Sequence, residues 1–507
     1  MTRRTLLHLA GLGVVGRLTA QRYDSYQAQP GQTAGFAEAD ISPDIGMERP
    51  GNYGKVFHRR FFDPCKARAA VFADGDSRVA IVGLDALVIP RHTVVAARER
   101  IRERCGIEPG AVMVAASHSH SSGPTGMVLP GQFDHADELV QKLAYKYSSA
   151  ADPGYLALVE DRIVGAVCAA DASRVDAVCG FGSGVEREAG VNRRVRMKNG
   201  LTYTHPRPGN PDIVELAGPI DPEVGVVGTW DRHGRLQGCI VNFSCHATAG
   251  PSGISANWIY WLERVIRGAL GSDVVVVFTA GANGDITQVD NLSPHRRPNG
   301  AEAQRFVGGR VGAEATKALL GMHPGGFAPL GNASEVLEIP RRRPSPERLA
   351  EAKAIARQEP NGSSAEWVFA KETVLLDALL RQEPVVDVEV QAIQVGPAVF
   401  VSNPAEYFVE YGLRIKRESP FLFTFPVELA NGSVGYVPTE EAFGPHGGGY
   451  ETRLTSYSNL EITAGTKIAD ASIGLTRRLK PGHLPQPPAH EPFQGPWSYG
   501  NVPPQVE

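Results

Sequence analysis

The sequence predicts an α/β protein: a single large domain with a mixed, partly parallel β-sheet flanked by helices, and a site at the carboxyl ends of strands. Three observations lead there. Two apolar runs of small and β-branched residues, 112–116 and 238–243, each lead into histidines set among small residues. A strand–helix–strand order across 78–116 implies a right-handed crossover between parallel strands. Gly 56 and Pro 38 supply many loops, which suits a site assembled from strand ends better than one inside a helical bundle.

Taken in order, the first 34 residues stand apart. Arg3-Arg4 precede a short apolar stretch to Val15, and Leu18-Thr19-Ala20 could precede a cleavage point. This pattern resembles a twin-arginine signal, so export to the periplasm or exterior is expected. A chance Arg-Arg in an ordinary amino terminus would look the same. Residues 21–34 are polar and Gln-rich, a linker by composition. The folded body is expected over 35–480. It opens with a strand near 35–43, followed by strands at 67–73 and 78–89 and a charged helix at 92–104.

The next strand begins at Val112 and runs toward Ser117-His118-Ser119-His120-Ser121-Ser122-Gly123-Pro124, where Gly-Pro ends it. If the strand continues that far, both imidazoles point to one face about 7 Å apart. That reach suits two ligands on one metal, or one ligand beside an acid/base group. Residues 126–151 read as a loop with Phe133, a lip over the site, and 154–172 as a helix. A strand near 175–182 and the polar stretch 190–194 follow, and 197–219 look irregular. The run 238–243 leads to His246, the helix 257–269 follows, and a buried strand at 274–278 enters the glycine-rich loop 279–287. A helix at 301–320, a strand at 335–339, helices at 346–358 and 364–381, and strands at 385–395 and 398–401 come next. The last of these delivers Glu406 to the head of another helix. A strand at 421–425 leads to 430–439 and 448–451, and the Pro-rich tail 481–507 has few core-forming residues and is expected to be disordered.

A net charge of −4 gives no support for a nucleic-acid surface or a basic membrane-binding face. No apolar run reaches membrane-spanning length. The six cysteines are scattered without a Cys-x-x-Cys pair, which argues against a zinc ribbon or a disulfide scaffold.

Three strands therefore end in a potential ligand beside small or turn residues: His118, His246 and Glu406. Two imidazoles and a carboxylate suit zinc with an open position for water, which can attack an amide or ester without a side-chain nucleophile. Spacing alone does not establish this. His246 would also serve as a satisfied core histidine, and Glu406 as a carboxylate at a helix start.

The ordered motifs His-Ser-His-Ser-Ser-Gly-Pro, Asn192-Arg193, Asn242-Phe243-Ser244-Cys245-His246, Gly284-Asp285-Ile286-Thr287, Pro404-Ala405-Glu406 and Gly435-Tyr436-Val437-Pro438-Thr439 resemble the neutral/alkaline (non-lysosomal) ceramidase family. The similarity runs through most of 35–480, including the opening Ala39-Asp40-Ile41-Ser42-Pro43. It implies an amidohydrolase acting on N-acyl lipids such as ceramide, with one zinc ion held by His118, His246, Glu406 and Tyr436. Tyr450, in Gly-Gly-Tyr-Glu, is the alternative to Tyr436. His120 would be the acid/base group, Arg193 would steady a developing oxyanion, and Thr287 would be a hydrogen-bonding group where the family has serine. Ala405 replaces the family's glycine, and the similarity does not extend to the carboxy-terminal β-sandwich of ceramide-cleaving members. An esterase or lactonase on the same zinc, and a non-catalytic ligand-binding relative, are the competing expectations.

Overall fold

The computed structural model describes residues 29–358, 360, 364–495, 499–500 and 502–507. The stretch read as an export signal, up to residue 28, lies outside the described residues.

The alternating and continuous apolar runs of the first half pair into one eight-stranded sheet. Its spatial order is Val275–Ala280, Leu236–Phe243, Glu223–Asp231, Val175–Val185, Gln32–Asp40, Lys66–Asp74, Ser77–Leu84, Val112–Ala116. The two outermost pairs are parallel and the rest antiparallel, so the sheet is mixed and parallel at its edges. Both parallel pairs are joined by a helix, Arg91–Cys105 on one edge and Trp258–Leu270 on the other, as parallel neighbours require. The strands at these edges are buried almost throughout, which explains why they read as unbroken apolar runs.

The sheet coils until its two edges meet. Gly83 marks the closest approach: a Cβ there would lie 2.3 Å from the Phe278 carbonyl oxygen, so any side chain would push the strands apart. This packing brings the carboxyl end of Val112–Ala116 alongside that of Leu236–Phe243. A second sheet, in the order Leu330–Pro340, Val385–Val395, Ala398–Ser402, Phe423–Val427, sits against the first. Asn431 stitches the two together. Its side chain accepts from Val114 N (3.0 Å) and donates to Gln391 (2.8 Å), while its own N–H donates to the Val114 carbonyl (2.8 Å). Helices Pro153–Ala172, Gly300–Gly321 and Ala464–Arg478 cover the outer faces.

Three segments differ from the sequence reading. The strand read as 78–89 ends at Leu84, because Asp85 turns its carboxylate back onto Lys66 N (2.8 Å) and Arg68 Nη1 (2.7 Å). The irregular stretch 197–219 contributes two strands to a small sheet of Arg194–Met197, Thr202–Thr204 and Ile213–Leu216. Its strands are short and partly exposed, so they carry little apolar periodicity. The lip at 126–151 holds two short helical turns, Glu138–Gln141 and Lys142–Lys146, packed with Phe133 against the helix Ala365–Gln382. Among the described residues no helix is long and apolar enough to cross a membrane, and all six cysteines are thiols.

Candidate metal centre

His118 does not sit on the strand. Val112–Ala116 stops two residues earlier, and His118 adopts a positive φ of 60°. The following chain is held by Ser117 N and Ser119 N donating to the carbonyls of Leu84 and Ala86. The expected separation along a continuous strand is therefore replaced by a turn that folds the two rings together. His118 Nε2 and His120 Nε2 lie 3.3 Å apart.

His246 arrives from the other parallel edge, just past the strand Leu236–Phe243, with its N–H on the Ile286 carbonyl (3.1 Å). Its ring centroid is 4.6 Å from that of His118. Glu406 and Tyr436 come as a pair. Ala405–Tyr407 and Gly435–Val437 form a two-stranded parallel ladder in which these residues are register partners, so both side chains leave on the same face. The helix expected directly after Glu406 begins only at Val409.

The polar atoms converge. Glu406 Oε2 lies 3.2 Å from His118 Nε2 and 3.5 Å from His246 Nε2, and the Tyr436 hydroxyl is 3.5 Å from His246 Nε2. The candidate ligand atoms of His118, His120 and His246 all lie within 4.8 Å of one another. The tautomers follow from the far side of two rings: His118 Nδ1 faces the Leu87 carbonyl at 3.0 Å and His246 Nδ1 the Asn283 carbonyl at 2.7 Å. A ring nitrogen facing a carbonyl must donate, which leaves each neutral Nε2 as a bare lone pair aimed inward. Glu406 Oε2, buried, accepts no hydrogen bond. Two lone pairs thus face an unsatisfied carboxylate oxygen, and this arrangement calls for a cation. Carbonyl-anchored imidazoles with a carboxylate are the donor set that zinc takes. His120 differs. Its Nδ1 has no carbonyl anchor among the described residues and faces Gly51 instead, where a Cβ would come within 2.4 Å.

Electrostatics follow the burial. Burial, then Arg193, lowers His246 to about 3. Burial, then His118 and His246, pushes His120 well below the usual imidazole range. Burial, followed by Glu406, raises the Tyr436 phenol.

A cavity of about 1020 Å³ opens beside this cluster. His118, His120, Glu406, Tyr436 and Tyr450 form one wall, and Val128, Leu129, Phe133, Leu375 and Leu379 an apolar one. The lip and the helix Ala365–Gln382 supply the latter.

No family model matches the chain. Over 264 residues it is 29% identical to the neutral ceramidase of Pseudomonas aeruginosa, a stretch covering 49% of this chain and 36% of that protein. The crystal structure of that neutral ceramidase superposes with a TM-score of 0.65 at 21% identity, covering 90% of this chain and 76% of the other. A structure described as ceramidase complexed with C2 gives 0.66 at 20% identity over 90% and 77%. The chain thus shares the fold of that neutral ceramidase, and the matched stretch spans about a third of its length.

Within this ceramidase fold the remaining motif residues fall behind the cluster. Arg193 is buried, with its guanidinium 5.5 Å from the Tyr436 ring centre and 5.1 Å from that of Tyr450. It donates to Glu451 (2.9 Å) and the Gly284 carbonyl (2.7 Å), and it does not itself line the cavity. Tyr450 stands one step back from Tyr436, their hydroxyls 3.1 Å apart. The Thr287 hydroxyl donates to Gln288 (3.0 Å), which also accepts from Thr248. No hydrogen bond joins the Thr287 side chain to the histidines among the described residues. Asn192 and Asp285 bond to each other (2.8 Å), tying their two loops.

Two further carboxylates went unread in the sequence. Glu451 anchors Arg193. Glu428 accepts from Asn283 N (2.8 Å) and Tyr407 N (2.9 Å), so it ties the loop that orients His246 to the strand that carries Glu406. Tyr450-Glu451 was visible as a motif, but nothing near Glu428 announces its role.

Proposed function

We propose that the chain is a zinc-dependent hydrolase that cleaves the amide bond of an N-acyl lipid such as ceramide. The observation that carries this reading is the unsatisfied Glu406 Oε2 facing the bare Nε2 atoms of His118 and His246. These three, with the Tyr436 hydroxyl, would hold the metal. When bound, zinc supplies Lewis acidity, making water nucleophilic near neutral pH and polarising a carbonyl.

The protein's own groups do the rest. His120, at the cavity wall and without a carbonyl anchor, is free to take a proton from the attacking water and pass it to the leaving amine. Arg193 is a positioning residue: its charge across both tyrosine faces favours electron density on the Tyr436 oxygen. Thr287 supports the His246 loop through Gln288 and Thr248. The apolar wall of the cavity suits an acyl chain. The likeness to neutral ceramidase favours an amide over an ester substrate.

Metal analysis of the purified protein tests the site, and matched amide and ester substrates test the reaction. About one zinc per chain is expected. His118→Ala and His246→Ala should lose both metal and activity. His120→Gln should keep the metal and lose about 10²–10⁴ in rate. Full metal and full amidase activity in the first two variants would overturn the assignment.

A further inference from the structure

One stretch beside the cavity has no role in this chemistry. Residues 55–62, Lys-Val-Phe-His-Arg-Arg-Phe-Phe, carry three basic side chains and no carboxylate in a chain of net charge −4. Its phenylalanines face solvent: Phe57 is 49% exposed, Phe61 56% and Phe62 45%. Among the described residues, Phe493 is the one other phenylalanine so exposed. Ile45, 56% exposed, precedes the strand-like segment that pairs with them.

This exposure does not come from a slack loop. Residues 46–58 form a hydrogen-bonded hairpin, with Gly46 N on the His58 carbonyl (2.9 Å), His58 N on Met47 (2.9 Å) and Arg49 N on Val56 (2.7 Å). The buried His58 ring bonds the Ser122 carbonyl (2.8 Å), and Phe62 N bonds Ile254 (3.0 Å). The backbone is therefore fixed while the aromatic rings point to water. Lys55 is paired with Glu48 (2.8 Å), but Arg59 and Arg60, both exposed, make no ion pair among the described residues. The same hairpin reaches the site: Gly51 abuts His120 and Tyr53 lines the cavity.

Aromatic rings held at a surface beside unpaired arginines match the requirements of a lipid–water interface. The rings enter the headgroup boundary, and the guanidinium groups meet phosphates. We propose that residues 55–62 seat the protein on lipid surfaces bearing anionic headgroups, presenting the cavity mouth to molecules in that surface. The unpaired charge of Arg59 and Arg60 selects this occupant over an apolar protein face. The inference concerns binding and is measured without substrate, so it stands or falls separately from the hydrolase reading.

The test is co-sedimentation of the full chain with vesicles of phosphatidylcholine alone and of equal parts phosphatidylcholine and phosphatidylglycerol. The wild type should bind the mixed vesicles more tightly, and added salt should weaken that binding. Phe61→Ser/Phe62→Ser should weaken binding to the mixed vesicles by about tenfold or more. Arg59→Gln/Arg60→Gln should abolish the preference for phosphatidylglycerol. Because Phe62 also packs against Gly253, Phe57→Ser/Phe61→Ser serves as a second apolar variant, and unfolding midpoints check that each is folded. Failure of the wild type to sediment with either vesicle overturns the proposal, as does unchanged binding by folded variants. A lipid-free dimer that the phenylalanine variants dissociate would assign the patch to a second copy instead.

Discussion

Two buried polar clusters lie in this molecule, each containing a carboxylate and completed in a different way. In one, Arg68 donates to Asp85 (2.7 Å) and to Glu263 (2.5 and 3.1 Å), while Lys66 reaches Glu263 at 2.8 Å. None of these buried polar atoms lacks a partner. In the other, Glu406 faces His118, His246 and Tyr436, and one of its oxygens has none. Both clusters pay for desolvation. The first repays it internally and binds the strand Lys66–Asp74 to the helix Trp258–Leu270. The second is complete only with something added. Buried charge as such therefore does not mark a functional site; buried charge whose geometry leaves acceptors facing acceptors does.

The sharpest way to break this comparison is to neutralise one carboxylate in each cluster and read metal, activity and stability together. Glu406→Gln should remove the metal and cost about a thousandfold or more in activity. The metal-free variant should nevertheless unfold at no lower denaturant concentration than metal-free wild type, because the change relieves an unpaired buried charge. A large loss of stability would mean that Glu406 is a structural partner and that the contrast is false.

Arg68→Met should behave in the opposite way. It strands Asp85 and Glu263 without their shared cation, at a cost of about 3–5 kcal/mol. Denaturant unfolding measures this directly. Metal content per folded molecule should not change. If metal is lost while stability holds, the two clusters are coupled and the distinction fails.

The sequence carried much of the functional cluster and almost none of the structural one. Strand ends with small residues mark His118 and His246, since apolar runs that stop abruptly at polar groups are visible in one dimension. The turn at His118 was not visible: it is held by the carbonyls of Leu84 and Ala86, at and just past the end of another strand. Likewise, Glu406 and Tyr436 share a face only because two three-residue strands pair in parallel, a register too short to leave a periodic trace. Arg68, Asp85 and Glu263 are separated by up to 195 positions, and each reads singly as an ordinary surface charge. One parallel edge was legible from the helix between its strands at 78–116, while the order of the eight strands was not. The coil that brings the two edges together left one trace in the chain, the glycine at position 83, where a Cβ would meet the Phe278 carbonyl.

The smallest effect expected is in acid, and it sharpens the comparison on the structural side. Burial works to raise the Glu263 carboxyl, but Arg68, then Lys66 and Arg267, outweigh it and hold it at about 2, against 4.5 for a free group. A depressed folded-state pKa means that the native protein binds its proton less readily than the unfolded chain. The resulting stability is fully present above pH 4.5 and is lost as the pH falls through about 2. A shift of this size corresponds to about 3 kcal/mol. Asp85 is raised, by burial foremost, and so opposes this trend as the pH falls. The useful quantity is therefore a difference. Wild type minus Glu263→Gln, followed by denaturant unfolding across that acid window, should show the wild type's advantage shrinking as the pH drops. An advantage that stays flat would mean that Glu263 gains nothing from Arg68, and that the two clusters are alike after all.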